Sequence, residues 1–135
     1  MLMQLRPLAP PPKAAAFKNR SFLDRLGYAV AGITIVFSRE RSFRTQSAFA
    51  AGVLVVGALL PIGPLWAALA ALCVGMVLAL EMINASLEYL MDLLHPEVAE
   101  EIKHAKDAAA GAVLIASCAT VAVGLLMLVA WLQLS

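Results

Sequence analysis

The chain has 135 residues, of which 62% are hydrophobic and 14% are charged, and its formal net charge is +1. Soluble domains carry roughly 45–50% apolar and about 25% charged residues, so this composition argues against a water-soluble globule. The near-neutral charge gives no basic excess for a nucleic-acid partner, and the length allows one domain. Cys73 and Cys118 lie in apolar runs, so we expect small hydrophobic side chains there, without a disulfide or a metal.

The N-terminal third of the chain predicts two segments. Residues 1–16 are rich in proline and alanine and are expected to form a flexible leader. Residues 17–44 carry apolar side chains at helical spacing, which predicts an amphipathic helix lying on the membrane surface. A soluble helix packed on the protein itself would show the same pattern. The apolar positions are Phe22, Leu26, Ala29, Ile33, Val36 and Phe37.

Two long stretches contain no Asp, Glu, Lys or Arg, from Thr45 to Leu80 and from Ala108 to Ser135. The first stretch includes Pro61, Gly63 and Pro64, which end one helix and start another. A span needs about 20 apolar residues, so the second helix is expected to continue past the first carboxylate that follows. We therefore predict an all-α membrane protein with three transmembrane helices, over 45–60, 65–94 and 107–134.

Basic residues are distributed unevenly around these predicted spans. Eight of the ten precede the first span, and the other two lie between the second and the third. By the positive-inside rule, the N-terminus and the loop over about 94–106 face the cytoplasm. The basic residues are Arg6, Lys13, Lys18, Arg20, Arg25, Arg39, Arg41, Arg44, Lys103 and Lys106.

Four polar residues, Glu81, Asn84, Glu88 and Asp92, follow one another at helical spacing in the second predicted span. At about 100° per residue they fall within an arc of roughly 80°, so they share one face of a membrane helix. An ionised group at membrane depth is costly, and its default interpretation is functional. Three carboxylates and one amide in line are expected not to pair with each other, so we expect them to bind cations, for example Mg²⁺ that also binds substrate phosphates. The alternative is a helix that emerges into water, which fits Asp92 best.

Other polar residues allow both a functional and a structural interpretation. Glu40 lies within a cluster of arginines, which it could simply neutralise. Asp107 is expected to cap the third predicted helix. The small residues over 108–111 would allow the backbone of another helix to approach closely, and Lys106 could bind phosphate oxygens. His95 and His104 are expected to be solvated loop residues. No G-x-x-x-x-G-K-[ST] or G-x-S-x-G motif occurs, so soluble nucleotide-binding and hydrolase folds have no support.

The sequence from Glu81 to Glu88, followed by Asp92 and by Ala105-Lys-Asp-Ala-Ala-Ala-Gly-Ala-Val113, resembles the signature of the small bacterial integral-membrane lipid kinases. That family comprises diacylglycerol kinase and undecaprenol kinase. Either segment alone would be weak evidence for the family. The two segments together, at this separation in a three-span chain, are specific evidence for it. The likeness covers about residues 20–132 and includes Gly27-Tyr28, Gly32 and Glu40-Arg-Ser-Phe-Arg44.

The resemblance implies phosphorylation of a lipid hydroxyl by ATP and Mg²⁺ at the cytoplasmic face of the bacterial inner membrane. It also implies a homotrimer whose active sites are shared between neighbouring subunits. The expected reaction converts diacylglycerol to phosphatidic acid, and the alternative is formation of undecaprenyl phosphate from undecaprenol. Neither the composition nor the spacing of the chain identifies the lipid.

Matching by position assigns roles to individual residues. Glu81 matches the general base of the family and Asn84 its polar active-site amide. Glu40 and Glu88 match its metal-binding carboxylates. The positions matched to nucleotide or cofactor binding are Tyr28, Glu40, Glu88, Glu97, Lys106 and Asp107.

The chain also departs from the family pattern. An arginine usually stands where this sequence has Ser21, so Arg20 or Arg25 would have to supply that charge. The alanine run over 108–110 resembles the undecaprenol kinase branch, whereas diacylglycerol kinases more often carry Gly-Ser there. A small channel or transporter subunit is the alternative from another class, but its carboxylates should lie nearer midspan.

Overall fold

The computed structural model describes residues 20–59, 63–95, 97 and 99–134, and the regular structure in them is entirely α-helical. This confirms the all-α prediction for those residues, and the predicted leader over 1–16 lies outside them. The described residues form two compact units, which divide between Gly32 and Ile33. The helices are α1 (Phe22–Arg39), α2 (Arg41–Leu59), α3 (Pro64–Leu94) and α4 (Glu100–Leu134).

Helix α1 begins with a capping box formed by Ser21 and Asp24. The Ser21 hydroxyl accepts a hydrogen bond from the Asp24 N–H at 3.2 Å. In return, Asp24 Oδ2 accepts bonds from the Ser21 N–H at 3.2 Å and from its hydroxyl at 2.9 Å. These reciprocal bonds satisfy backbone donors that a helix start leaves free. Ser21 therefore has a structural role at the start of α1.

The predicted surface helix over 17–44 is two helices that meet at Glu40. The Glu40 N–H bonds to the Val36 carbonyl at 2.8 Å, and the Glu40 carbonyl accepts from the Arg44 N–H at 3.3 Å. The Arg44 guanidinium donates to the carbonyls of Phe37 and Ser38 at 3.1 and 3.0 Å. This satisfies the free carbonyls at the end of α1 and favours its termination there.

The apolar face predicted for this segment is mostly exposed. Val36 is buried at 3%, whereas the large apolar residues Phe22, Leu26, Ile33 and Phe37 are all exposed. An exposed apolar face is what a helix at the membrane surface requires. The surface location itself remains a prediction.

The break between the first two predicted spans lies where the prolines indicate. Helix α2 ends at Leu59, and α3 begins at Pro64 with Gly63 as its N-cap. The Gly63 carbonyl accepts from the N–H groups of Trp66 and Ala67 at 3.0 and 3.3 Å. Proline suits the first position of a helix because its missing N–H would have no partner there. Helix α3 then continues to Leu94, far beyond its first carboxylate.

Helix α4 begins earlier than the sequence predicts. It starts at Glu100, and the Ala99 carbonyl accepts from the Lys103 N–H at 3.1 Å. Glu100 and Glu101 in the first turn favour this start because they face the positive end of the helix dipole. The prediction that Asp107 caps the helix is therefore wrong, since Asp107 lies inside α4. A side chain added at Gly111 would meet no atom of the described residues within 4 Å, so none of the other described helices approaches closely there.

Helices α3 and α4 are the two described helices that are long and apolar enough to cross a membrane. Only 11% and 6% of their most apolar windows are buried, whereas a core helix of a soluble protein would be mostly buried. Helix α3 packs against both α2 and α4. Helix α2 covers most of the first predicted span but is not one of the two described helices long and apolar enough to cross a membrane, so the count of three spans remains a prediction.

A small hydrophobic core joins α1, α2 and α3. Its buried members are Val36, Phe43 and Ala85, which are 3%, 5% and 2% exposed. The rings of Phe37 and Phe43 meet edge to face with their centroids 6.3 Å apart. This core fixes the α1–α2 junction against the middle of α3. The partly buried residues packed against it are Leu78, Met82 and Tyr89.

Candidate active site

Burial changes steadily along the polar face of α3, which we call the polar stripe (Glu81, Asn84, Glu88 and Asp92). Glu81 is buried, with 5% of its surface exposed, beside the core residue Ala85. Asn84 and Glu88 are half-buried, and the Asp92 side chain is 67% exposed. One helix face therefore places its carboxylates in different environments.

The buried carboxylate of Glu81 is held from the first turn of α2. The Ser42 hydroxyl donates a hydrogen bond to Glu81 Oε2 at 3.3 Å. Phe43, the next residue, is part of the core, so packing of α2 on α3 also fixes Ser42. Within the described parts of the chain, Glu81 Oε1 accepts no hydrogen bond. It is therefore left with its lone pairs for a proton or a ligand.

Asn84 and Glu88 form a pair within the stripe. The Asn84 amide nitrogen donates to Glu88 Oε1 at 3.1 Å. The expectation that the stripe has no internal partners is therefore wrong, because an amide can donate to a carboxylate one turn away. A carboxylate can only accept, so this bond leaves the Asn84 carbonyl oxygen as an acceptor. That atom is buried and has no partner among the described residues.

Glu40 approaches the stripe from the α1–α2 junction. Its Oε1 accepts a hydrogen bond from the Tyr89 hydroxyl at 2.7 Å. The Arg39 guanidinium lies 5.9 Å from the centroid of the same tyrosine ring. In the part of the chain that the structure describes, no ion pair joins Glu40 to an arginine. Glu40 therefore accepts a hydrogen bond from Tyr89 instead of forming the ion pair with an arginine that the sequence suggested.

Three carboxylates share this neighbourhood. The charges of Glu40 and Glu88 both act on Glu81. Like charges held together favour binding of a cation. However, no three carboxylate, histidine or cysteine side chains among the described residues are close enough to hold one ion by themselves. The arrangement thus fits a metal that brings ligands of its own.

The other predicted nucleotide contacts are spread more widely. Lys106 of α4 forms an ion pair with Asp92, which ties α4 to the exposed end of the stripe. Asp107 and Glu97 are exposed, and in the described ranges no hydrogen bond links their side chains to the stripe. Tyr28 is exposed on α1 in the unit over 1–32. The roles of all four residues remain predictions.

Sequence reasoning missed the partners that hold the carboxylates, Ser42 and Tyr89. Each reaches a carboxylate from far along the chain, across 39 residues for Ser42 and 49 for Tyr89. The one available signal was that each residue lies close in sequence to a predicted site residue, because Ser42 lies near Glu40 and Tyr89 follows Glu88. Hydrophobic periodicity carries no information about such pairings.

Comparisons with known proteins agree with the resemblance seen in the sequence. A family model described as prokaryotic diacylglycerol kinase matches residues 27–128. A diacylglycerol kinase of Synechocystis sp. is 39% identical over 98 residues, which cover 72% of this chain and 56% of that protein. An undecaprenol kinase of Bacillus subtilis is 32% identical over 106 residues, which cover 78% of this chain and 86% of that protein.

The matched segment contains the whole polar stripe, the α1–α2 junction and the lysine that pairs with the stripe. The chain spans little more than half the length of the Synechocystis relative and most of the Bacillus one. The two apolar helices and the family together indicate a membrane protein. The chain belongs to the prokaryotic diacylglycerol kinase family.

Proposed function

We propose that this chain is a lipid kinase that transfers the γ-phosphate of ATP to the hydroxyl of a membrane lipid. Diacylglycerol is the first candidate acceptor and undecaprenol the second. The observation that carries the proposal is the buried carboxylate of Glu81, 5% exposed on a helix long enough to cross a membrane, with two further carboxylates beside it. The names of the two relatives support the reaction class, and each name supports one of the two candidate lipids.

Glu81 acts in this proposal as the general base. Its free oxygen, Oε1, takes the proton of the lipid hydroxyl, while the Ser42 hydroxyl holds Oε2. The lipid oxygen then forms a bond to the γ-phosphorus, and the bond between that phosphorus and the β–γ bridging oxygen breaks, so that ADP leaves. The buried carbonyl oxygen of Asn84, which has no partner in the described chain, accepts a hydrogen bond from a bound ligand.

Glu40 and Glu88 are the residues that would hold Mg²⁺. Magnesium in proteins usually takes one or two carboxylates and completes its shell with water and substrate phosphates, so the lack of a three-ligand cluster fits a metal–nucleotide complex. Bound Mg²⁺ neutralises charge on the transferring phosphate. Lys106 adds a positive charge for phosphate oxygens, and the further nucleotide contacts proposed are Tyr28, Glu97 and Asp107.

The proposed assembly is a homotrimer with three spans per chain, in the bacterial inner membrane with its active sites on the cytoplasmic side. The concentration of basic residues before the first predicted span supports this orientation. A site shared between neighbouring copies is consistent with a described chain that does not gather three metal ligands by itself.

The burial of Glu81 favours a kinase over a channel or transporter subunit. A conduction path needs carboxylates that face water at the constriction. Glu81 is instead 5% exposed, and Ser42 of the neighbouring helix holds its Oε2 by a hydrogen bond.

A lipid-phosphorylation assay tests this proposal. Purified protein in mixed micelles receives ATP labelled at the γ-phosphate, Mg²⁺, and either diacylglycerol or undecaprenol. We expect faster transfer to diacylglycerol, and faster transfer to undecaprenol would reassign the acceptor. In Glu88→Ala, half-maximal activity should require about tenfold more Mg²⁺, because metal-site changes typically cost 10–100-fold.

Glu101→Ala is the matched control for that variant, since Glu101 is an exposed carboxylate in the first turn of α4. Its Mg²⁺ requirement should equal that of the parent protein. An unchanged requirement in Glu88→Ala would remove Glu88 from the metal site. Transfer to neither lipid would refute the kinase assignment.

A further inference from the structure

Tyr89 has no role in the reaction as proposed above, although it touches one of its carboxylates. Its hydroxyl donates to Glu40 Oε1 at 2.7 Å, an ordinary length for a hydrogen bond from a hydroxyl to a carboxylate. The residue that it contacts lies 49 positions earlier in the chain. The bond therefore links α3 to the junction of α1 and α2.

Both the ring and the hydroxyl of Tyr89 are fixed by their surroundings. The ring packs against the core of Val36, Phe43 and Ala85. The Arg39 guanidinium lies over its face, 5.9 Å from the centroid, within the range of a cation–π contact. A tyrosine held in this way presents its hydroxyl in one direction with little loss of rotamer freedom on binding.

Glu40 needs such a partner more than the other carboxylates do. It is the one described residue between the end of α1 at Arg39 and the start of α2 at Arg41. Glu81 and Glu88, in contrast, lie inside the long helix α3. A carboxylate at a break between helices has more freedom to turn than one in mid-helix, so its direction depends on side-chain contacts.

We propose that Tyr89 is a positioning residue that aims the Glu40 carboxylate at the metal–nucleotide complex. The hydroxyl occupies Oε1 and leaves Oε2 for a divalent cation. Hydrogen bonds from outside the ligand shell orient metal-binding carboxylates in this way, and their loss typically lowers metal affinity or activity by 10–100-fold. The inference rests on the proposed function, because it takes Glu40 as a metal ligand.

Tyr89→Phe removes the hydroxyl and keeps the ring, so the core packing remains. We expect Mn²⁺ to bind about tenfold more weakly to this variant in the presence of the β,γ-imido analogue of ATP, as measured by electron paramagnetic resonance of free Mn²⁺. The Mg²⁺ concentration for half-maximal lipid phosphorylation should rise by a similar factor. Ser86→Ala is the matched control, because the Ser86 hydroxyl lies on the same helix and donates only to the Met82 carbonyl, at 2.8 Å.

A double-mutant cycle separates positioning from a merely structural role. If Tyr89 acts through Glu40, then Tyr89→Phe should not weaken Mn²⁺ binding further in a Glu40→Ala background. A tenfold loss that recurs in that background, or unchanged Mn²⁺ binding in Tyr89→Phe alone, would overturn the inference. Should the parent protein phosphorylate neither lipid, the proposed function fails instead, and the Mn²⁺ measurement still tests the contact.

Discussion

The two ends of the polar stripe lie on one face of α3 but differ in burial and in the residue that each carboxylate contacts. At one end, Glu81 is 5% exposed and accepts a hydrogen bond from Ser42 of α2. At the other end, the Asp92 side chain is 67% exposed and pairs with Lys106 of α4. The first end lies beside the buried core residue Ala85, and the second lies at the surface.

The difference shows what packing adds to a periodic pattern. A carboxylate that is buried and fixed on one oxygen is suited to a single directed task, such as proton transfer. A carboxylate paired with a lysine in water binds that lysine only weakly, so a phosphate can compete with it for the lysine. Under the proposed function, the buried end of the stripe would carry out proton transfer and the exposed end would contribute charge.

The largest expected effect is at the buried end. Glu81→Gln keeps the size of the side chain and an acceptor for Ser42, but it cannot take up a proton at neutral pH. Lipid phosphorylation should fall about 100-fold or more, in line with the loss of a general base. The measurement is the initial rate at saturating ATP, lipid and Mg²⁺.

Glu100→Gln, an exposed carboxylate at the start of α4, is the control and should keep the parent rate. Thermal unfolding in detergent should show Glu81→Gln to be folded. A rate within a factor of about three of the parent would be incompatible with the base assignment, since a lost general base typically costs 10²–10⁴-fold.

Local chemistry in the sequence was sufficient to predict some of the helical elements. The prolines around Gly63 predicted the break between α2 and α3, and the charge-free runs predicted long apolar helices. The placement of Glu81, Asn84 and Glu88 on one face followed from helix geometry alone. These features depend on residues within a few turns of each other, which is the range over which sequence patterns are informative.

Contacts between helices could not be predicted in the same way. The partners of Glu81 and Glu40 are separated from them by 39 and 49 residues and depend on how α2 docks on α3. The break at Glu40 was missed because no proline or glycine marks it, while the arginine that satisfies the end of α1 lies on the next helix. The predicted start of α4 is too late because the charged residues before Asp107 resemble a solvated loop in the sequence.

A smaller effect, on stability rather than chemistry, is expected from the core that holds the buried end. Phe43→Ala should lower the free energy of unfolding by about 3 kcal/mol, because it opens a cavity between α2 and α3 where Phe43 is 5% exposed. Unfolding in mixed detergent measures the change. Phe49→Ala on the same helix is the control, since Phe49 is 70% exposed and should cost much less. Equal losses in the two variants would show that this core does not stabilise the junction.

The smallest effect is expected at the exposed end of the stripe. Asp92→Asn removes the partner of Lys106, and such exposed pairs contribute roughly 0–1 kcal/mol, so the free energy of unfolding should barely change. Because Asp92 competes with phosphate for the lysine, its neutralisation should lower the KM for ATP about twofold while kcat stays constant. Salt screens exposed charges, so the difference in KM should shrink in about 1 M KCl, where the Debye length is near 3 Å. A KM that rises in Asp92→Asn would instead mean that the ion pair holds Lys106 in its binding position.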